Sequence, residues 1–175
     1  MAVLVAAPPG VERYGLQGDF VLVHTRDWAS KLIRFGQRVR FRGARRPFAY
    51  WNHAAIFVDG SGNMVEADWR VSVVSIYGYR RLDYVVVRRN MTDEDREKAA
   101  ECALDMVGHK YGIAVIFSAV LRLLTNTRIE FGVDGHPICS ALVARALDGR
   151  PTFMPRDPSH MLPADLAEMY GVLPA

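Results

Sequence analysis

Cysteine is scarce in this chain. Cys102 and Cys139 are the only two among 175 residues, and they stand far apart in unlike surroundings, which argues against the disulfide framework of a small secreted domain and for synthesis in a reducing compartment. Long apolar runs are also missing. The most apolar segment, Gly112 to Leu124, is about half the length needed to cross a bilayer and carries Arg122 near its end, so no transmembrane helix is expected. The first ten residues lack the basic start and the long apolar stretch of a secretory signal and run into Pro8-Pro9, so residues 1–17 are expected to form an extended arm, and synthesis is expected to be cytoplasmic, without a signal peptide. No internal repeat or low-complexity tract is present.

Acidic residues are absent between Asp27 and Asp59, where Lys31, Arg34, Arg38, Arg40, Arg42, Arg45 and Arg46 fall among Phe35, Phe41 and Phe48. The net charge of +3 is too small to demand a polyanionic partner, so the distribution matters more than the sum. The Lys31–Arg46 stretch is a candidate surface for nucleic acid, anionic lipid or wall phosphates. The plainer reading is a solvated helix face followed by a loop, and no recognised nucleic-acid module accompanies it.

The length suits one domain over residues 1–175 with a single sizeable core. Phe20–Val23 reads as a buried first strand after the Gly18-Asp19 break. Asp27 is placed to cap a helix in which Trp28, Leu32, Ile33 and Phe35 recur at helical spacing, with the basic residues on the remaining surface. Strand periodicity then takes over: His53–Val58, Met64–Ala67, Val71–Ile76 and Tyr84–Val87 read as an antiparallel meander. Thr92 and Asp95 form a capping pattern before the stripe Ala99, Cys102, Ala103, Met106 and Val107. Further helices are expected over Ile113–Leu124, from Cys139 to Gly149, and near Ala164–Tyr170. The sum is an α+β fold, an antiparallel sheet packed on helices.

Cys139 lies in His136-Pro137-Ile138-Cys139-Ser140-Ala141, a loop running into an amphipathic helix. A helix N-terminus stabilises an anion through its free N–H groups and partial positive charge, so the position favours thiolate and offers donors to an oxyanion. A small buried hydrophobe is the alternative reading of the same cysteine. His53 opens one apolar strand, and Glu66 interrupts the next between Val65 and Ala67. A two-residue Asp59-Gly60 turn sets His53 opposite Glu66; shifting it to Gly60-Ser61 pairs Ala55 with Glu66 and leaves His53 and Glu66 as diagonal neighbours on one face. A three-residue turn separates them. In either of the first two cases the carboxylate can fix the imidazole tautomer and leave the other nitrogen as a base.

The order Asn52-His53-Ala54-Ala55-Ile56, then Val65-Glu66-Ala67, then a late Cys139-Ser140-Ala141-Leu142-Val143 resembles the circularly permuted branch of the papain-like NlpC hydrolases. Gly18-Asp19-Phe20-Val21 and Pro163-Ala164-Asp165-Leu166-Ala167 extend the resemblance over about residues 18 to 168. It implies a permuted papain-like fold with a sheet of about six antiparallel strands. The catalytic residues it implies are Cys139 as nucleophile, His53 as base and Glu66 as the orienting carboxylate, a cysteine peptidase or amidase working through a thioester. Wall-type peptides are the foremost implied substrate; lipid acyl hydrolysis or transfer, and a silent module in a larger assembly such as a phage tail, are the alternatives.

Other groups compete for these roles. His136 could serve as base, although Pro137 stiffens the backbone between it and Cys139. Cys102, His109, His136 and Cys139 can each bind zinc, but their spacing matches no tight ligand pair, so no metal and no cofactor are expected. His24 and Tyr111 are candidate rim or oxyanion residues with structural roles as the simpler reading.

Overall fold

The computed structural model describes residues 3–5, 15–109, 139–148 and 161–174. The helix expected over Ile113–Leu124, together with Tyr111 and His136, lies outside them.

Six strands form one antiparallel sheet: β1 (Val3–Val5), β2 (Phe20–His24), β3 (His53–Phe57), β4 (Asn63–Ala67), β5 (Val71–Ser75) and β6 (Asp83–Arg88), in the order β1-β6-β2-β3-β4-β5. The helices are α1 (Trp28–Arg40), α2 (Asp93–Asp105), α3 (Cys139–Leu147) and α4 (Pro163–Met169), with 3-10 segments at Gly43–Tyr50 and Ile76–Tyr79. This is an α+β fold. Within the stretch expected to form an extended arm, Val3, Leu4 and Val5 pair with Arg88, Val87 and Val86 and close the β6 edge of the sheet.

Alternation along the strands sorts side chains onto two faces. Phe20, Leu22, Ala54, Ile56, Val65, Val85 and Val87 meet the helical residues Ala99, Ala103, Leu142, Val143 and Leu166 in the main core. On the opposite face Val21, Val23, Ala55, Phe57, Met64 and Val86 pack with Ile76 and Tyr79. The central strands are thus buried on both sides, which explains why β2 reads as a continuous apolar run rather than an alternating one. Thr92 caps α2 by accepting a hydrogen bond from the Asp95 amide at 3.1 Å, and α2 packs on α3, which lies along β3.

Asp19 fastens the sheet to α2. It is fully buried, pairing with Arg96 at 2.8 Å and Arg88 at 3.1 Å and accepting from the Leu16 and Arg89 amides. Two further ion pairs, Arg40 with Asp165 and Arg45 with Glu168, tie α1 and the following 3-10 segment to α4.

The orientation of α1 differs from the pattern its apolar spacing suggests. Its buried residues are Ser30, Gly36 and Gln37, whereas Trp28 and Phe35 are 54% and 55% exposed. Hydrogen bonding explains the reversal. The Gln37 amide donates to the Trp51 carbonyl at 2.8 Å and accepts from the Ala164 amide at 3.0 Å. Ser30 donates to Asp27 at 2.6 Å and also bonds Thr25. These polar side chains are satisfied where they are buried, so burying them carries little penalty.

Candidate active site

β3 begins at His53, directly after a hydrogen-bonded corner. Asn52 is fully buried, donates to the Thr25 carbonyl at 2.9 Å and accepts from the Thr25 amide and hydroxyl at 2.9 and 3.0 Å. Thr25 in turn reaches Ser30 and, through it, the Asp27 cap of α1. The start of β3 is therefore held against the end of β2 and the start of α1, which fixes where the imidazole emerges.

The hairpin to β4 pairs Ala55 with Glu66 and Phe57 with Met64. This is the shifted register of the two that keep His53 and Glu66 on one face. Asp59 sets it: its carboxylate accepts from the Ser61 and Asn63 amides at 2.8 and 3.0 Å and from the Asn63 side chain at 2.6 Å. Gly62 completes the turn at φ 90°, a conformation that side chains disfavour. As diagonal neighbours, His53 and Glu66 meet with Nε2 donating to Oε2 at 2.7 Å, both side chains largely buried at 13% and 15% exposure.

A third group joins them that the sequence reading did not single out. The Tyr79 hydroxyl donates to the same Glu66 oxygen and lies 3.1 Å from His53 Nε2, with its ring edge-on to the imidazole. The segment Ile76-Tyr77-Gly78-Tyr79 offers two tyrosines two residues apart. Only the fold distinguishes them: Tyr79 is 8% exposed and Tyr77 45%.

Cys139 comes from the helical side. It is the first described residue of α3, 3% exposed, and its side chain is hydrogen-bonded to His53. With Nε2 engaged by Glu66 and Tyr79, Nδ1 is the nitrogen left for the sulfur. The three residues expected to act together, Cys139, His53 and Glu66, are in mutual reach, in the order sulfur, imidazole, carboxylate.

The electrostatics follow from this chain of contacts. Burial alone lowers the His53 pKa, but the charge and hydrogen bond of Cys139 and those of Glu66 outweigh it and carry it up from 6.5 to about 10. Burial pushes the Glu66 carboxyl up, while the hydrogen bond and charge of His53 and the Tyr79 hydroxyl bring it below its ordinary value. Burial, reinforced by Glu66, raises the Tyr79 phenol, so it remains a donor. The favoured state of the pair is an imidazolium held by the Glu66 carboxylate. Nearby, burial raises the Asp68 carboxyl; His53 pulls it back, and Glu66 and Asp27 push it up again. Asp68 therefore shares the electrostatic field of the site.

The remaining candidates fall elsewhere. His24 is buried, donates from Nδ1 to the Tyr50 carbonyl at 2.8 Å, accepts from Arg34 at Nε2 and stacks on Tyr50. Both its nitrogens are engaged, so its role is structural. Cys102 packs in α2 with its sulfur 4.0 Å from the Arg145 carbonyl, and burial raises its thiol pKa. Among the described residues no three His, Cys, Asp or Glu side chains converge as a metal site, and no helix is long and apolar enough to cross a membrane. Compared with known proteins, the chain matches no family model and no curated sequence.

Proposed function

We propose that this chain is a papain-like thiol hydrolase or acyltransferase, with Cys139 as nucleophile, His53 as general acid and base, and Glu66 as the orienting carboxylate. The observation that supports it most is the engagement of both sides of His53, Cys139 on one and the Glu66–Tyr79 pair on the other. A histidine buried for structural reasons needs no thiol partner.

The steps follow from that arrangement. His53 takes the Cys139 proton, and the thiolate attacks the carbonyl carbon of an amide or ester. The carbonyl electrons move to oxygen, and N–H groups at the start of α3 hold the oxyanion. Collapse breaks the bond to the amine or alcohol, which leaves with the proton from imidazolium. The thioester is then attacked by water, or by another acyl acceptor, whose proton His53 removes; the acid or transferred acyl product departs and the thiol is restored. Glu66 holds the Nε2–H throughout and stabilises the imidazolium.

Wall-type peptides are the foremost substrate class in this reading, as a peptidase or amidase. A lipid acyl substrate is the second, favoured by the exposed Trp28 and Trp69, which pack on each other, with Trp69 three residues beyond Glu66. The test is labelling with a thiol-directed acylating probe, then incubation with peptidoglycan fragments and with phospholipids, products read by mass spectrometry. The wild type should label and Cys139→Ala should not. A wild type that never labels, or labelling that survives in Cys139→Ala, would sink the proposal.

A further inference from the structure

The reversed orientation of α1 leaves an apolar stripe facing outward. Trp28, Leu32, Phe35 and Val39 follow one another at i, i+4, i+7 and i+11, the spacing of a single helix face. Trp28 and Phe35 are more than half exposed, and Leu32 and Val39 are only partly covered. Trp69, in the β4–β5 turn and 54% exposed, extends the stripe by packing against Trp28 with ring centroids 6.3 Å apart.

Cations border this stripe. Lys31, Arg38, Arg42 and Arg46 are exposed, and none of the four forms an ion pair among the described residues, unlike Arg40 and Arg45, which are committed to α4. No acidic residue occurs from Trp28 to Val58. The Asp27 carboxylate beside Trp28 is taken up by hydrogen bonds from Ser30. The stripe also adjoins the candidate site, because Trp69 follows three residues after Glu66, the β4 residue that is hydrogen-bonded to His53.

We propose that the outward face of α1, with Trp69, docks on the surface of an anionic lipid bilayer and brings the β4 side of the Cys139–His53 site towards that surface. An amphipathic helix that presents tryptophan and phenylalanine with lysine and arginine alongside combines apolar insertion with attraction to anionic headgroups. A nucleic acid would satisfy the cations and leave the apolar stripe in water. A second copy of this chain would bring like-charged lysine and arginine rims together. The bilayer satisfies both features. Docking stands on its own observations; that it serves acyl transfer rests on the proposed function.

Tryptophan emission supplies the readout, since Trp28 and Trp69 are exposed while Trp51 is buried at 4% exposure and no other tryptophan is present. Phosphatidylcholine vesicles containing phosphatidylglycerol should shift the emission to the blue and sediment the protein, with a strong loss at high salt; pure phosphatidylcholine should do neither. Lys31→Gln with Arg38→Gln should weaken partitioning about thirtyfold, the effect of two cations near an anionic surface. Trp28→Ala with Phe35→Ala should weaken it at least about tenfold, with circular dichroism confirming the fold. Cys139→Ala should bind as the wild type does, so a failure of catalysis and a failure of docking are told apart. The proposal is overturned by an unshifted emission with anionic vesicles, by charge or aromatic variants that bind normally, or by sedimentation velocity showing a dimer that buries the tryptophans.

Discussion

Replacing Glu66 by Gln keeps the size of the side chain and removes one charge from beside His53. The wild-type contact is a charge-assisted hydrogen bond of 2.7 Å between side chains at 13% and 15% exposure. Such bonds contribute about 1.5–3 kcal/mol, which at 1.36 kcal/mol per pKa unit corresponds to about one to two units. Because the carboxylate favours the charged imidazole, its loss must lower the His53 pKa from about 10. The assay is an NMR pH titration of the imidazole Cε1–H resonances, with His53 assigned by its absence in His53→Ala. The same shift should appear in the alkaline limb of acylation by a thiol-directed probe. A wild-type His53 titrating near 6.5, or a Glu66→Gln variant titrating where the wild type does, would refute the reasoning. Acylation should fall less in Glu66→Gln than in Cys139→Ala, because orientation is degraded while the nucleophile survives.

Tyr79→Phe removes one donor from the Glu66 oxygen and should cost about 1 kcal/mol in stability with a modest fall in acylation rate, read by urea melts and probe labelling; no change in either would leave Tyr79 a packing residue only. Asp19→Ala leaves the largely covered guanidinium of Arg96 without its carboxylate, with only the Gln17 and Arg89 carbonyls to hold it, and should destabilise by roughly 3 kcal/mol, a loss easily seen in the urea midpoint; a loss below about 1 kcal/mol would show that the cluster is not a fastener. The raised His53 pKa also sets a pH dependence: its contribution to stability is fully present below 6.5 and is lost as pH rises through about 10. Urea midpoints of the wild type should therefore decline from neutral pH to pH 10 more than those of His53→Ala, and parallel curves would contradict this.

Much of the site was legible because its signals are local. A charged residue between Val65 and Ala67, one hairpin from a strand-opening histidine, restricts the pairings to a few, and two of the three considered bring the groups together. Choosing between those two depended on Asp59, whose carboxylate gathers the Ser61 and Asn63 amides, a detail of loop geometry that turn statistics do not supply. Tyr79 was not legible, since its role depends on how the segment after β5 folds back under the sheet. The apolar spacing of α1 gave the helix and its Asp27 cap correctly but not the buried face, because two satisfied polar side chains, Ser30 and Gln37, prevail over the apolar pattern. The strand at Val3–Val5 was missed for a related reason: edge pairing to β6 requires knowing which strand is left unpaired.

His53, Glu66 and Tyr79 all lie within a single run of meander, β3 to the turn after β5, whereas Cys139 arrives on a helix from much later in the chain. Contacts within the meander form over short loops and can close early; docking α3 closes a far longer one. In a partly folded chain, the base and its partners would then exist before any thiol reaches them. The Cys139–His53 contact becomes a property of the finished tertiary structure, so the acyl-transfer chemistry proposed for it would be absent from an unfolded or nascent chain until α3 has packed.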